Sequence, residues 1–142
     1  MKRDLSRRYL ELIGVISVDF GMDGWVVTRR RRTKSGGVIV STVQPRDNNG
    51  SLCLVMSVNG SPRIFSLGRF VYAWHMADVP YDMEVCYIDG NPKNAALDNL
   101  VLLDQKAAYK MKHRTEEEKA RDAAARSSAA VQYQKEAKRK RG

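Results

Sequence analysis

The sequence predicts an α+β protein that consists of an N-terminal antiparallel β meander, a small mixed α/β module and a long C-terminal helix. Three observations lead to this prediction. Short runs of β-forming residues alternate with turn residues over roughly the first half of the chain. Apolar residues recur at helical spacing between residues 68 and 76. The end of the chain is rich in Ala, Lys, Arg and Glu, which favour a helix.

The N-terminal region, residues 1–60, is expected to form most of the meander. A short amphipathic helix is predicted over 5–12, and four or five strands should follow it. Asn59-Gly60 lies between two apolar runs and favours a tight hairpin turn, so neighbouring strands should pair antiparallel. Residues 45–50 are rich in turn formers and are expected to form a loop. The predicted strands are 13–20, 25–29, 38–43, 52–58 and 63–67.

The second region, residues 61–113, is expected to be a compact module. Phe70, Val71 and Trp74 recur at helical spacing, so a short helix is predicted over 68–76. A strand is predicted over 83–88, and the Asp-Gly-Asn-Pro sequence at 89–92 has the composition of a turn. Four leucines between 97 and 103 should close the module onto a core, and 104–112 should form another helix.

The third region, residues 114–142, is predicted to be one long helix. Thr115 and Glu118 have the spacing of a capping box. The glutamates at 116–118 and the basic residues at 138–141 would complement the helix dipole at its two ends. Because Val131 and Tyr133 are its large apolar side chains, this helix should be exposed or bound to a partner.

The formal net charge of +9 points to an anionic partner such as nucleic acid, with simple solubility as the alternative. The charge is uneven along the chain. Residues 1–34 hold nine basic and four acidic side chains, residues 35–104 hold four and seven, and residues 105–142 hold twelve and five. Any contact with phosphates should therefore come mainly from the flanks, above all from the four consecutive arginines at 29–32.

The cysteine content and hydropathy indicate the compartment. Cys53 and Cys86 are too few for a disulfide framework or for a zinc site built from cysteines. This favours a reduced setting inside a cell. No apolar stretch approaches the roughly 20 residues of a membrane-spanning helix, and no continuous apolar run follows the basic N-terminus. We therefore expect a cytoplasmic protein without a membrane partner.

The most informative stretch is IDGNPKNAALDNL at residues 88–100. It resembles the phage HNH homing endonucleases, whose pattern runs D-H-I-D-G-N-x-x-N-x-x-x-x-N-L. The preceding FSLGRFVYAW at 65–74 resembles the family's v-H-R-L-V-a-x-a-F segment. The resemblance is specific for about residues 50–112 and suggestive for 10–50. It implies an HNH-like ββα module over 61–113, a β-rich modular domain before it, and a phage protein acting in the cytoplasm of a bacterial host.

The resemblance also implies which positions would carry catalysis. In the family an Asp and a distal Asn or His bind a divalent cation, and a His beside the Asp is the general base. The scaffold residues are retained here, including Asp89, Gly90, Asn91, Asn94, Asn99 and Leu100. At the functional positions this chain has Cys86 for the ligand Asp, Tyr87 for the base, Ala108 for the distal ligand and Gly68 for an upstream His.

These replacements predict a catalytically inactive protein that binds no metal and needs no cofactor. An unperturbed tyrosine has a pKa of about 10, which makes Tyr87 a poor base. A cysteine thiol such as Cys86 is poorly suited to Mg²⁺. We expect Tyr87 to be a packed aromatic residue that fills the vacated pocket. The alternative is an active DNA-nicking endonuclease with a rearranged site, and only that alternative would require Mg²⁺.

The leading hypothesis is therefore a nucleic-acid-binding protein, with double-stranded DNA as the favoured partner. A further alternative is a protein-interaction module that binds a host enzyme or a ribonucleoprotein through the C-terminal helix. Asn91 and Asn94 are expected to stabilise a turn and not to contact bases. The candidate phosphate contacts are Arg29, Arg30, Arg31, Arg32, Lys34, Arg63, Arg69, Lys93, Lys106, Lys110 and Lys112.

Overall fold

A computed structural model describes residues 4–126, 128–129 and 131–133 of the chain. It confirms the α+β class with antiparallel sheets. Within the described residues the elements are α1 (Arg7–Leu12), β1 (Val15–Gly21), β2 (Gly24–Arg32), β3 (Val38–Val43), β4 (Arg46–Asn48), β5 (Ser51–Val58), β6 (Ser61–Ser66), α2 (Leu67–His75), β7 (Met83–Tyr87), β8 (Leu100–Asp104), α3 (Gln105–Lys112) and α4 (Glu116–Ala124), with a short 3₁₀ helix at Leu97–Asn99.

The N-terminal strands form where the sequence predicts them, but they do not form a single meander. They make two three-stranded antiparallel sheets, β1-β2-β3 and β4-β5-β6. The additional strand is β4, which lies in the segment predicted as a loop. Pro45 between β3 and β4 has no backbone N–H for a ladder, so the first sheet ends there.

Two Asn-Gly turns build the second sheet. Asn49 and Gly50 join β4 to β5 with φ angles of 54° and 93°, and Asn59 and Gly60 join β5 to β6 with φ angles of 52° and 81°. Positive φ at both central residues is the requirement of the tight hairpin turn that matches strand twist. The second of these turns was predicted from the sequence, whereas the first was taken as part of a loop.

One buried core runs through both of the first two predicted regions. It contains Leu10 of α1, Val27 of β2, Leu54 of β5, Phe70 of α2 and Leu100 of β8. The β5–β6 hairpin, in which Val58 pairs with Ser61, crosses the predicted boundary between residues 60 and 61. Nearly every side chain of α2 is buried, so this helix joins the N-terminal sheets to the strands that follow.

The second half of the described chain carries the candidate site. β7 and β8 pair antiparallel from Met83–Asp104 to Tyr87–Leu100, and α3 packs against both strands. Asp104 caps α3, since its carboxylate accepts the backbone N–H of Ala107 at 2.8 Å. No helix among the described residues is long and apolar enough to cross a membrane.

The C-terminal region starts as predicted and then departs from one continuous helix. Thr115 and Glu118 form the capping box at the start of α4, but α4 ends at Ala124. The Tyr133 hydroxyl donates to the Asp122 carboxylate at 2.7 Å. Eleven residues of a continuous helix would separate these groups by roughly 16 Å, so the chain must turn between them. The predicted basic end at 138–141 lies outside the described residues.

Candidate functional site

The turn after β7 is organised around Asn99, which is fully buried. Its side-chain nitrogen donates to the Asp89 Oδ1 atom at 2.9 Å and to the Asn94 carbonyl at 2.7 Å. Its side-chain oxygen accepts the Asp89 backbone N–H at 3.0 Å. A single amide therefore holds the turn from inside through three hydrogen bonds.

The Asp89 carboxylate is the second centre of this turn. It also accepts the Asn91 backbone N–H at 2.8 Å and the Asn94 side-chain amide at 2.9 Å. Partial burial alone would raise the pKa of Asp89, but the hydrogen bonds from Asn94, Asn91 and Asn99, with the charge of Arg126, together lower it. Asn91 and Asn94 thus have turn contacts of the kind expected from the sequence.

Cys86 and Ala108 occupy the positions that the resemblance assigns to metal ligands. Both are buried, and both belong to an apolar cluster with Ile88, Leu103 and Met111. A thiol and a methyl group supply no hard oxygen ligand, so this pair does not fit a Mg²⁺ site. Among the residues that the structure describes, no group of three or more His, Cys, Asp or Glu side chains is placed to hold a metal ion.

Tyr87, at the position of the general base, packs against the N-terminus of α2. Its hydroxyl oxygen is hydrogen bonded with the Ser66 side chain and accepts the Gly68 backbone N–H. A Cβ atom on Gly68 would lie 2.6 Å from that oxygen, so the phenol fills the space that a side chain there would need. Burial raises the pKa of Tyr87 above its ordinary value, and the two hydrogen bonds only partly offset this.

A pocket of about 410 Å³ opens beside Tyr87. Its walls come from the start of α2, from β7, from the turn at 89–92, from the end of α3 and from α4. Four cationic side chains and one acidic side chain line it: Arg69, Lys112, Arg114, Lys119 and Glu84. The Lys112 ammonium forms an ion pair with Glu84 at 3.0 Å, and Arg69 donates to the Met83 carbonyl at 2.8 Å.

Arg114 connects the C-terminal region to the pocket beside Tyr87, a contact that was not predicted from the sequence. Its guanidinium donates to the Asp122 carboxylate and to the Met111 and Ile88 carbonyls, and its side chain is 4% exposed. Asp122 also accepts the Tyr133 hydroxyl, and Tyr133 packs against the cluster around Cys86. We call Arg114, Asp122 and Tyr133 the tail clasp. The clasp holds part of the C-terminal region on the chain itself, where an exposed or partner-bound helix was predicted.

Arg29 does not behave as a phosphate contact. It is 6% exposed, and its guanidinium donates to the Ile13 carbonyl at 3.1 Å and to the Ser57 carbonyl. Burial, and secondarily the charge of Arg31, lowers the pKa of Arg29. Its side chain links the turn between α1 and β1 to β5, so Arg29 is a structural residue.

The other three arginines of the run are exposed on β2. Arg30, Arg31 and Arg32 lie directly opposite Val40, Ile39 and Val38 of β3, respectively. β1 pairs with β2 as far as Arg29, and the Arg30 backbone N–H donates to the Gly14 carbonyl at 2.8 Å, so beyond Arg30 the strands β2 and β3 form a two-stranded ribbon. Side chains alternate along a strand, so Arg30 and Arg32 share one face of this ribbon and Arg31 lies on the other. Lys34 is exposed just beyond it.

The remaining candidate cations are dispersed. Lys93 forms an ion pair with Asp47 at 3.0 Å and so connects the Asp89 turn to β4. Arg63 is half-buried on β6, and Lys106 and Lys110 are exposed on α3 with the four-residue spacing of one helix face. The exposed arginines of β2 therefore form one group, and the cations that line the pocket form a second, separate group. Arg29, which was predicted to contact phosphates, is buried.

Comparison with known proteins adds no relative: no family model, no curated protein and no solved structure matches the chain.

Proposed function

We propose that the chain is a nucleic-acid-binding protein on a degenerate HNH-nuclease scaffold, with double-stranded DNA as its partner and without cleavage activity. The observation that carries the proposal is the set of three consecutive exposed arginines, Arg30, Arg31 and Arg32, which face valine and isoleucine across the ribbon. Arginines beside apolar partners gain no charge compensation from the opposite strand, and phosphates can supply it.

The shape of the ribbon supports a duplex as the partner. The major groove of B-DNA, about 12 Å wide, admits a two-stranded β ribbon. Arg30 and Arg32 on one face and Arg31 on the other would reach the two walls of such a groove. Each phosphate contact releases counterions, so the binding constant should fall steeply as salt is added.

The Asp89 turn, β7, β8 and α3 are the proposed counterpart of the family's ββα module. The hydrogen bonds between Asp89 and Asn99 support this assignment, because they give the two motif residues a structural role. Loss of cleavage is supported by the chemistry at the replaced positions. Cys86 and Ala108 lie in an apolar cluster, and the raised pKa of Tyr87 disfavours the phenolate that a general base needs. A phage protein acting in the bacterial cytoplasm is the corresponding setting.

Binding and cleavage are tested separately. Fluorescence anisotropy with a labelled duplex, and with the matching single strand, measures affinity at several salt concentrations. The proposal expects tighter binding to the duplex and a steep salt dependence. Incubation of supercoiled plasmid with Mg²⁺ or Mn²⁺ should leave it unnicked. Salt-independent or undetectable binding would refute the nucleic-acid proposal, and metal-dependent nicking would refute the loss of cleavage.

A further inference from the structure

Sheet edges in the N-terminal half differ in how they are protected. Exposed edges normally carry a bulge, a proline or a charge, or are very short, and these devices prevent pairing with other strands. β1 has an irregular register between Val15 and Ser17, β4 has only three residues, and β6 contains Pro62. Three of the four edge strands in the two sheets therefore carry a protective feature.

The fourth edge strand, β3, carries none of these features. It pairs with β2 along one side, and within the described residues no strand pairs with its other side. Its sequence VIVSTV contains no charged residue and no proline. Val38, Ile39 and Val40 are 57%, 44% and 61% exposed. Its outer edge offers unpaired backbone groups beside apolar side chains, which is the arrangement that accepts an added strand.

The neighbouring arginines determine which strand fits. Pairing two copies of the chain through β3 would bring two sets of three arginines together on one sheet. An acidic strand would instead bring negative charge to the three arginines. Arg30 and Arg32 share a face with Val40 and Val38, and strands lie about 4.8 Å apart, so an extended arginine on that face is long enough to reach across β3 toward a strand added beyond it. Acidic side chains on an incoming strand would meet them there.

We propose that the free edge of β3 binds an extended segment of a partner protein in which acidic and apolar side chains alternate. Backbone hydrogen bonds to β3 align the segment, its acidic side chains lie on the face of Arg30 and Arg32, and its apolar side chains lie on the opposite face, beside Ile39. This site is distinct from the Asp89 turn, and the inference does not depend on nucleic-acid binding. It shares Arg30 and Arg32 with the proposed DNA contact, so a bound segment and a duplex would compete for these two side chains.

The test uses the full chain and synthetic peptides in isothermal titration calorimetry. The probe is a peptide of alternating Glu and Val, and one control peptide has Lys in place of Glu. A second control is the Glu/Val peptide with N-methyl groups on alternate residues, which cannot complete the backbone pairing. The proposal expects the probe to bind and each control peptide to bind at least about ten-fold more weakly.

Two protein variants locate the site. Val40→Glu places a negative charge on β3, on the face that the acidic side chains of the probe share with Arg30, and Ile64→Glu places the same charge on β6 at a residue that is 67% exposed. Because like charges repel, the probe should bind Val40→Glu about ten-fold more weakly than the native chain, and it should bind Ile64→Glu as tightly as the native chain. Equal binding of the N-methylated peptide, equal losses in both variants, absence of probe binding, or self-association of the chain in sedimentation equilibrium would overturn the proposal. If Val40→Glu fails to fold by circular dichroism, the N-methylated peptide with the native chain still decides.

Discussion

The hydroxyl oxygen of Tyr87 lies 2.6 Å from the point where a side chain on Gly68 would begin. The same oxygen accepts the Gly68 backbone N–H at the start of α2, where the Ser66 side chain makes no capping bond. A tyrosine from β7 thus supplies the acceptor that a helix N-terminus requires. A side chain at residue 68 would therefore require the Tyr87 phenol to shift.

Gly68→Ala tests that fit. Alanine is a better helix former than glycine, by up to about 1 kcal/mol in a helix interior, so a helix without the Tyr87 contact would not lose stability from this change. Here the new methyl meets the Tyr87 hydroxyl, and we expect a loss of about 1–3 kcal/mol in the free energy of unfolding measured by urea denaturation. In a Tyr87→Phe background the oxygen is gone and the loss should shrink. Purely additive effects of the two substitutions would contradict the contact.

Asn99 is predicted to stabilise the folded protein. Asn99→Ala removes three hydrogen bonds at a fully buried position and should lower the free energy of unfolding by about 2–4 kcal/mol. Asn91→Ala is the matched control, since the Asn91 side chain is exposed and its oxygen accepts one bond, from the Lys93 N–H at 3.0 Å. The control should lose about 1 kcal/mol or less. If Asn99→Ala and Asn91→Ala lost similar amounts of stability in thermal and urea unfolding, Asn99 would not be the anchor of the turn.

The lowered pKa of Asp89 predicts that the stability of the fold decreases in acid. Its pKa is lowered in the folded protein from an ordinary value of 3.8, so ionised Asp89 stabilises the fold above that pH. This contribution is lost as the pH falls through the lowered value. The difference in unfolding free energy between the native chain and Asp89→Asn should therefore be largest near neutral pH and narrow below about pH 3.8. A difference that stays constant from pH 6 to pH 3 would show that the charged form is not favoured by the turn.

The tail clasp should contribute more to the free energy of unfolding than the surface ion pairs of the same region. Asp122→Ala removes the acceptor shared by buried Arg114 and Tyr133, and we expect a loss of about 1–3 kcal/mol. Asp98→Ala breaks only the partly exposed pair with Arg126 at 3.4 Å and should change stability by less than about 1 kcal/mol. Hydrogen exchange of α4 should accelerate in the first variant alone. Unchanged exchange in Asp122→Ala would exclude the clasp as the anchor of α4.

The sequence predicted the elements better than their assembly. Turn residues located the strands, and the Asp-Gly-Asn motif located the turn that Asn99 holds. The split into two sheets was missed because Pro45 and the Asn49-Gly50 turn were taken as one loop. That loop prediction ignored a hairpin signal as strong as the one at Asn59.

Long-range contacts account for the other differences. Arg29 follows Trp25 and Val27 at two-residue spacing, which was a local signal that it shares their buried face. The length of the run of arginines obscured that signal. No local pattern indicates the contact between Tyr133 and Asp122, because it depends on α4 ending at Ala124 instead of continuing to Tyr133.

The most direct test of nucleic-acid binding is the salt dependence of duplex affinity in an arginine-deficient variant. The variant combines Arg30→Ala, Arg31→Ala and Arg32→Ala. Its control removes the same charge at three exposed arginines elsewhere, through Arg8→Ala, Arg46→Ala and Arg121→Ala. With about 0.9 counterions released per phosphate contact, the slope of log affinity against log salt should fall by roughly 2.7 in the variant and much less in the control. An unchanged slope and affinity in the variant would contradict the account.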